Sequence, residues 1–182
     1  MHLLVEFLVS GMAHSQGSKT AGLGRRKSDG SAYGYVREAN PKGLSDWRRD
    51  VKAAAVVAWP MSRPPVEGPV AVTLTFVFSR PPSHSAKQRR LPWHTNVPDA
   101  EKLARATNDA LKMVIWRDDK QVVDLRVLKV WDNASKGLAP GVWVRICELS
   151  PEDVATALAA AMAVETVEQW LESRSPVPRI KP

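Results

Sequence analysis

The stretch HTNVPDAEKLARATNDALKMVIWRDDKQVVDLRVLKVW, from His94 to Trp131, decides the fold of this chain. It has the pattern of a loop, a helix, a short link and a strand. Pro98 precedes Asp99, which suits a helix that starts there. The apolar residues of the helix recur at helical spacing and predict one buried stripe: Leu103, Ala106, Ala110, Leu111 and Val114.

The end of the same stretch predicts a half-buried strand. Val123, Leu125 and Val127 alternate with Asp124 and Arg126. The helix therefore precedes a strand on which it can pack back. Packing of this kind would allow the acids at the two ends of the helix to converge.

The acids in question are Asp99 and Glu101 before and within the first helical turn, and Asp118 and Asp119 before the strand. Four carboxylates brought together repel one another unless a cation lies among them. Hard oxygen ligands without neighbouring Cys or paired His favour Mg²⁺ or Mn²⁺. Such a cluster is typical of metal-assisted phosphoryl transfer. Asp109, on the same helix, is interpreted as structural.

Three motifs of this stretch resemble the signature of the RusA family of Holliday-junction resolvases, and its phage-type members in particular. The motifs are Pro98 to Arg105 (PDAEKLAR), Asp109 to Leu111 (DAL) and Asp118 to Val122 (DDKQV). The family pattern has an Asp-x-Asp-Asn start, a Lys further along the helix, an Asp-Ala-Leu and a later Asp-Asp-x-Gln-Val or Ile. The resemblance is specific in the middle third of the chain.

The resemblance implies which residues act in catalysis. The first family aspartate falls on Asp99, the second on Glu101 and the later one on Asp119, with Asp118 beside it. The family lysine falls on Arg105. The implied metal ligands are Asp99, Glu101, Asp118 and Asp119, and the implied catalytic residues are Asp99, Glu101, Arg105 and Asp119.

Three positions depart from the family pattern. Glu101 adds a methylene to the usual aspartate, so the ligand geometry must shift by roughly a bond length. Lys102 stands where Asn is usual. Arg105 keeps the positive charge of the family lysine but removes an easy proton donor.

The resemblance also implies a RusA-like α/β (α+β) fold, in which a small mixed sheet is flanked by helices. The expected activity is Mg²⁺-dependent resolution of four-way DNA junctions, with Mn²⁺ as a substitute, by a homodimer. Two symmetric nicks from one active site per chain also favour a twofold dimer.

The positive charge of the chain points to a polyanionic partner. The net charge is +7, and the eight cations of two segments already exceed it. The candidate DNA-binding residues come from these segments and from the start of the helix: Lys19, Arg25, Arg26, Lys27, Lys87, Arg89, Arg90, His94 and Lys102. Both basic segments are expected to be loops, and the second one includes Arg80.

The remaining elements are expected to complete one domain over residues 1–172, followed by a disordered, basic and Pro-rich tail over 173–182. Strands are expected at residues 3–10, 33–38, 70–78 and 142–146, and the 70–78 strand is expected to be central. Residues 121–131 and 142–146 are expected to pair as a hairpin. Helices are expected from Ser45 to Trp59 and from Ser150 onward.

The single cysteine, Cys147, excludes an internal disulfide and favours a reducing cytoplasm, that of a bacterial host if a phage encodes the chain. No apolar run reaches the roughly 18 residues of a membrane span, so no membrane partner is expected.

Three alternatives remain open beside the resolvase. The same acids would serve a nuclease acting on flaps, single strands or RNA. A chain impaired by Glu101 and Lys102 would bind junctions without cutting them. A structural protein without a nucleic-acid partner would require both basic segments to be coincidental.

Overall fold

The computed structural model describes residues 1–17, 19–38, 40–133, 137–153 and 155–156. The chain divides into two compact units. One unit is Met1 with residues 149–182, and the other runs from His2 to Glu148. The expected boundary at residue 172 lies outside the described residues, and so does the tail over 173–182.

The unit from His2 to Glu148 is built on a four-stranded mixed sheet. Its strands are β1 (His2–Ser10), β4 (Val70–Phe78), β5 (Val122–Trp131) and β6 (Gly141–Glu148), in the order β1-β6-β4-β5. Strand β6 is antiparallel to β1 and β4, whereas β5 is parallel to β4. The expected small mixed sheet of an α+β protein is confirmed.

Strand β4 is central, as its apolar residues on both faces predict. Val70, Leu74 and Phe76 are fully buried. The expected hairpin between β5 and β6 is wrong, because β4 lies between them and pairs with both. The two strands are adjacent along the chain, but both pair with β4, which precedes them in the sequence.

Two long helices pack against the sheet and form the core. They are α1 (Pro41–Ala58) and α3 (Ala100–Leu111); α1 packs against α3 and β1, and α3 packs against β5. Helix α1 begins at Pro41 and not at Ser45, because the Asn40 side chain accepts a hydrogen bond from the Gly43 N–H at 3.0 Å and caps the helix. Trp47 and Trp59, each 2% exposed, fill the core beneath α1.

A separate two-stranded ribbon replaces the first expected basic loop. It consists of β2 (Lys19–Arg25) and β3 (Ala32–Glu38), which are antiparallel. Gly22 and Gly24 make room for the facing tyrosines, because a Cβ atom at these positions would lie 2.5 Å from the Tyr35 ring and 2.7 Å from the Tyr33 ring. No residue from Ala21 to Val36 is buried.

The second basic segment is also more ordered than expected. It contains the short helix α2 (Ala86–Arg89), which a capping box between Ser85 and Gln88 begins. A one-turn 3₁₀ helix, Asp119–Gln121, precedes β5.

The C-terminal unit starts as its sequence predicts. The Ser150 hydroxyl accepts a hydrogen bond from the Asp153 N–H at 3.2 Å, and residues 151–153 are helical. The continuation expected through Leu171 lies outside the described residues. Within the described ranges, no helix is long and apolar enough to cross a membrane.

Candidate active site

The N-terminal end of α3 carries the first two predicted ligands. Asp99 occupies the N-cap position, but its side chain makes no capping hydrogen bond. Its Oδ2 atom instead lies 2.6 Å from the Nζ atom of Lys102. The hydrogen bond and the charge of Lys102 lower the pKa of Asp99. Asp99 is therefore ionised at neutral pH, with Lys102 as its counter-ion.

Lys129 of β5 fixes the segment that leads into α3. Its ammonium donates hydrogen bonds to the Asn96 carbonyl at 2.6 Å and to the Pro98 carbonyl at 2.5 Å, across a cis Val97–Pro98 peptide. Burial lowers the pKa of Lys129. Lys129 is not among the site residues expected from the sequence. No sequence signal marks it, because only the register that pairs Lys129 with Phe76 places it beneath Pro98.

Glu101 and Arg105 lie on the exposed side of α3. Neither forms an ion pair with any side chain in the described part of the chain. Both side chains are therefore available to a ligand beside Asp99.

The other two predicted ligands lie beyond the C-terminal end of α3. Asp118 caps the 3₁₀ turn by accepting a hydrogen bond from the Lys120 N–H at 3.2 Å, and this bond lowers the pKa of Asp118. Lys112 lies 3.7 Å from the same carboxylate. Asp119 accepts a hydrogen bond from the indole Nε1 of Trp116 at 3.0 Å.

Gln121 holds this acidic turn in place. Its side-chain oxygen accepts hydrogen bonds from the N–H groups of Arg117 and Asp118, both at 2.9 Å. Its amide nitrogen donates to the carbonyls of Val66 at 2.8 Å and Gly68 at 3.0 Å. The Asp-Asp-x-Gln spacing thus fixes the two acids to the loop that precedes β4.

The expected convergence of the four acids within one chain is wrong. Helix α3 has 12 residues and is therefore about 18 Å long. Its first turn lies beside Lys129, near the end of β5. The turn that follows α3 is bound through Gln121 to Val66 and Gly68, beside the start of β5. The two acidic ends therefore lie at opposite ends of that strand. No group of three or more His, Cys, Asp or Glu side chains among the described residues is placed to hold a metal.

Asp109 has a structural contact, in line with its interpretation. Its carboxylate pairs with the Arg48 guanidinium, which also donates to the Gln16 side chain at 2.6 Å. The pair joins α1 to α3 and leaves Asp109 out of both acidic ends.

His94 lies in an aromatic cluster. It is 7% exposed, and its ring stacks on Phe78 at a centroid distance of 4.1 Å and contacts Trp131 at 4.3 Å. Burial and the nearby Lys129 lower the pKa of His94, which favours the neutral ring. The structure thus places His94 inside the protein, beside Asp99 and Lys102, with which it lines one cavity. Its contact with DNA stays a prediction.

The first basic cluster lies on the ribbon. Lys19 begins β2 and Arg25 ends it, while Arg26 and Lys27 are exposed in the turn between β2 and β3. Asp29 in this turn accepts hydrogen bonds from the N–H and the hydroxyl of Ser31. The three cations at the tip of the ribbon form no ion pair in the described part of the chain.

The second basic cluster is divided between two roles. The Arg80 guanidinium donates to the carbonyls of Gln88 and Leu91, and that of Arg89 donates to the carbonyls of His84 and Pro82. These two residues hold the segment together. Lys87 and Arg90 are exposed, so they are the predicted DNA contacts of this cluster that remain available.

Comparison with known protein families gives a match that contains the stretch from His94 to Trp131. The model of the family described as endodeoxyribonuclease RusA matches residues 24–146, which is more than half of the chain. The match includes both acidic ends of α3, the tip of the ribbon and the second basic cluster. Among curated proteins, none matches the chain.

Proposed function

Because the chain belongs to the RusA family of endodeoxyribonucleases, which hydrolyse the phosphodiester backbone of DNA, we propose that it resolves four-way DNA junctions by paired symmetric nicks. The observation that carries this proposal is the family match across residues 24–146, which includes every predicted catalytic residue. Recombination and repair are the processes that produce such junctions.

The donor chemistry of the acidic ends fits Mg²⁺, and also Mn²⁺. Mg²⁺ in phosphoryl-transfer sites is commonly held by one or two carboxylates together with waters and substrate phosphates. Asp99 and Glu101 form such a pair at one end of α3, and Asp118 and Asp119 form another. When bound, the ion would activate a water and stabilise the leaving oxygen of the scissile phosphodiester.

The side chains of the chain prepare the site for that ion. The low pKa of Asp99 keeps its carboxylate ionised. Lys102 pairs with Asp99 and would be free to contact a DNA phosphate if a metal ion took its place. Arg105, one helical turn beyond Glu101, neutralises charge that develops on the phosphate. Trp116 holds one oxygen of Asp119 and so orients the other.

A twofold dimer would bring the separated acids together. Junction resolution needs two sites related by symmetry. Since the two ends of α3 are about 18 Å apart, the Asp99 end of one protomer can face the Asp119 end of its partner. Two identical sites of three or four carboxylates result, and each contains residues of both chains.

Cleavage of a synthetic four-way junction tests the proposal. Each strand is labelled in turn, and the purified chain is incubated with Mg²⁺, with Mn²⁺ or with EDTA. The expected products are nicks at symmetric positions in two opposite strands, formed only with metal and lost in Asp99→Asn and Asp119→Asn. A flap and a linear duplex of the same sequence serve as control substrates.

Other outcomes would replace the proposal. Faster cleavage of the flap would identify a nuclease for other branched DNA. Junction binding without nicks would show that Glu101 or Lys102 has disabled the chemistry. If the chain neither binds nor cleaves any of these DNA molecules, the proposal of a DNA substrate is wrong.

A further inference from the structure

A cavity of about 930 Å³ opens beside Asp99 and Lys102 in the unit from His2 to Glu148. We propose that this cavity receives one unstacked nucleobase of the junction, adjacent to the scissile phosphate. The inference rests on the proposed function and adds a base-binding site to it. Its volume lies within the range of about 300–1,000 Å³ that is usual for small-molecule sites, so a base with its sugar fits.

The inner wall of the cavity suits a flat heterocycle. Phe78, His94 and Trp131 all line it, and they form a single aromatic cluster with centroid distances of 4.1 and 4.3 Å. A base that leaves the helix stack loses its stacking partners, and aromatic side chains replace that contact in sites for unpaired nucleotides.

Polar groups around the cavity suit the edge of a base. Asn40 and Asn96 belong to its lining. The amide of Asn96 can both donate and accept hydrogen bonds, and the amide of Asn40, whose oxygen caps α1, can donate. The Nδ1 atom of His94 is buried and has no hydrogen-bond partner in the described part of the chain. An unpaired buried nitrogen is unfavourable, but this atom has no exposed surface, so a base in the cavity would reach it only after the His94 ring turns.

The rim of the cavity carries two exposed apolar side chains. Met12 is 72% exposed and Val97 is 84% exposed, and both line the opening. Proteins that unstack DNA commonly insert apolar side chains of this kind between neighbouring bases. Met12 and Val97 are therefore placed to fill the gap that the departing base leaves.

The charges at the opening fix which nucleotide enters. Asp99 and Lys102 lie on the cavity wall, so a phosphate held by Lys102 would have its sugar and base near the opening. At a junction, bases next to the exchange point are the ones that unstack at least cost. A base read in this cavity would set the position of cleavage relative to the junction sequence.

Fluorescence of 2-aminopurine tests the inference. Junctions carry this base analogue at successive positions within three nucleotides of the exchange point, and the protein is added in EDTA so that the DNA is not cut. Neighbouring bases quench 2-aminopurine by stacking on both of its faces, whereas the aromatic wall of the cavity would stack on one, so its emission is expected to rise several-fold at one position and little at the others. Junction affinity is measured in parallel by anisotropy of a dye on a distant arm.

Matched variants connect the signal to the cavity. Ser79 is exposed on the lining, so Ser79→Trp blocks the opening without removing a buried group, whereas Ser62→Trp adds the same indole on an exposed turn elsewhere. Met12→Ala and Val97→Ala remove the rim, with Met61→Ala and Val57→Ala as exposed controls. Ser79→Trp, Met12→Ala and Val97→Ala should each reduce the emission rise at least twofold. Their controls, Ser62→Trp, Met61→Ala and Val57→Ala, should leave the rise unchanged.

The outcomes separate this inference from the proposed function. A chain that binds and cuts junctions with no emission rise at any position overturns the base site alone. A rise that Ser79→Trp and Val97→Ala leave intact also overturns it. If these variants change self-association and not the rise, the cavity is a contact between copies of the chain and the base site is wrong. A chain that neither binds nor cuts a junction overturns both proposals.

Discussion

The indole Nε1 of Trp116 donates a hydrogen bond to Oδ1 of Asp119 at 3.0 Å, and the Trp116 side chain itself is fully buried. A rigid core residue therefore orients the carboxylate that the family resemblance selects as catalytic. Groups that orient metal ligands in this way commonly affect activity by about 10–100-fold.

Trp116→Phe should consequently lower the rate of junction cleavage by about 10-fold, because Asp119 loses its donor but keeps its charge. Junction affinity in EDTA should stay within twofold of the unaltered chain. The stability cost should be about 1–2 kcal/mol, which a urea unfolding curve measures. An unchanged cleavage rate would mean that Asp119 needs no such orientation.

Mixed dimers should distinguish sites shared between protomers from sites within one chain. Asp99→Asn and Asp119→Asn are each expected to be inactive. In a heterodimer of the two variants, one shared site keeps both native acids and the other has neither. Such a heterodimer, isolated through two different affinity tags, should nick one strand of the junction. Sites contained within single chains would leave it inactive.

Asp109→Asn provides a matched control for Asp99→Asn on the same helix. It should leave cleavage within about twofold of the unaltered chain, since Asp109 pairs with Arg48 away from both acidic ends. Because the pair is partly exposed, its loss should lower the free energy of unfolding by about 1 kcal/mol or less. Cleavage assays and thermal unfolding measure the two effects. A large loss of cleavage in a folded Asp109→Asn chain would reject its structural interpretation.

Lys102→Gln should lower the Mg²⁺ concentration that gives half-maximal cleavage. Lys102 is the counter-ion of Asp99 at 2.6 Å, so it competes with a metal ion for that carboxylate. A shift of several-fold is expected in a Mg²⁺ titration with saturating junction, and Lys52→Gln, on the exposed side of α1, should leave the titration unchanged. A higher Mg²⁺ requirement would show that Lys102 assists metal binding.

Lowering the pH should decrease the stability of the fold through protonation of His94. Burial and Lys129 lower its pKa from the ordinary value of 6.5, so the unfolded chain binds a proton that the folded chain does not. Stability is therefore complete above pH 6.5 and falls as the pH decreases towards the lower pKa of the folded state. His94→Phe keeps an aromatic ring and should show a smaller decrease in melting temperature between pH 7.5 and 5.5. An equal decrease in both chains would contradict this account.

Local patterns predicted much of the fold. The alternation of β4 and the apolar stripe of α3 identified both elements, because each buries one continuous set of apolar residues. Strand pairing was harder, because β5 pairs with β4, which is distant along the chain, and not with its sequence neighbour β6. Half of the ribbon was predicted, since the strand expected at 33–38 is β3, but β2 lies where a basic loop was expected. Gly22 and Gly24 of β2 make room for Tyr35 and Tyr33 of the facing strand.

The sequence suggested candidate residues for the site, whose roles stay predictions, but it did not give their geometry. The acids at Asp99 and Asp119 are conspicuous in sequence, yet the distance between them depends on the length and direction of α3. Lys129 was missed because a lysine on a strand is ordinarily a surface residue, and only the register with Phe76 places it under the turn at Pro98.

The ribbon formed by β2 and β3 completes its hydrogen-bond ladder within itself and contributes no residue between Ala21 and Val36 to the buried core. Pairs of residues can therefore be inserted or deleted at its turn without repacking the sheet or the helices. The stability of the fold and the length of the ribbon are therefore determined by different parts of the chain. Selection can change one of these properties while it leaves the other intact.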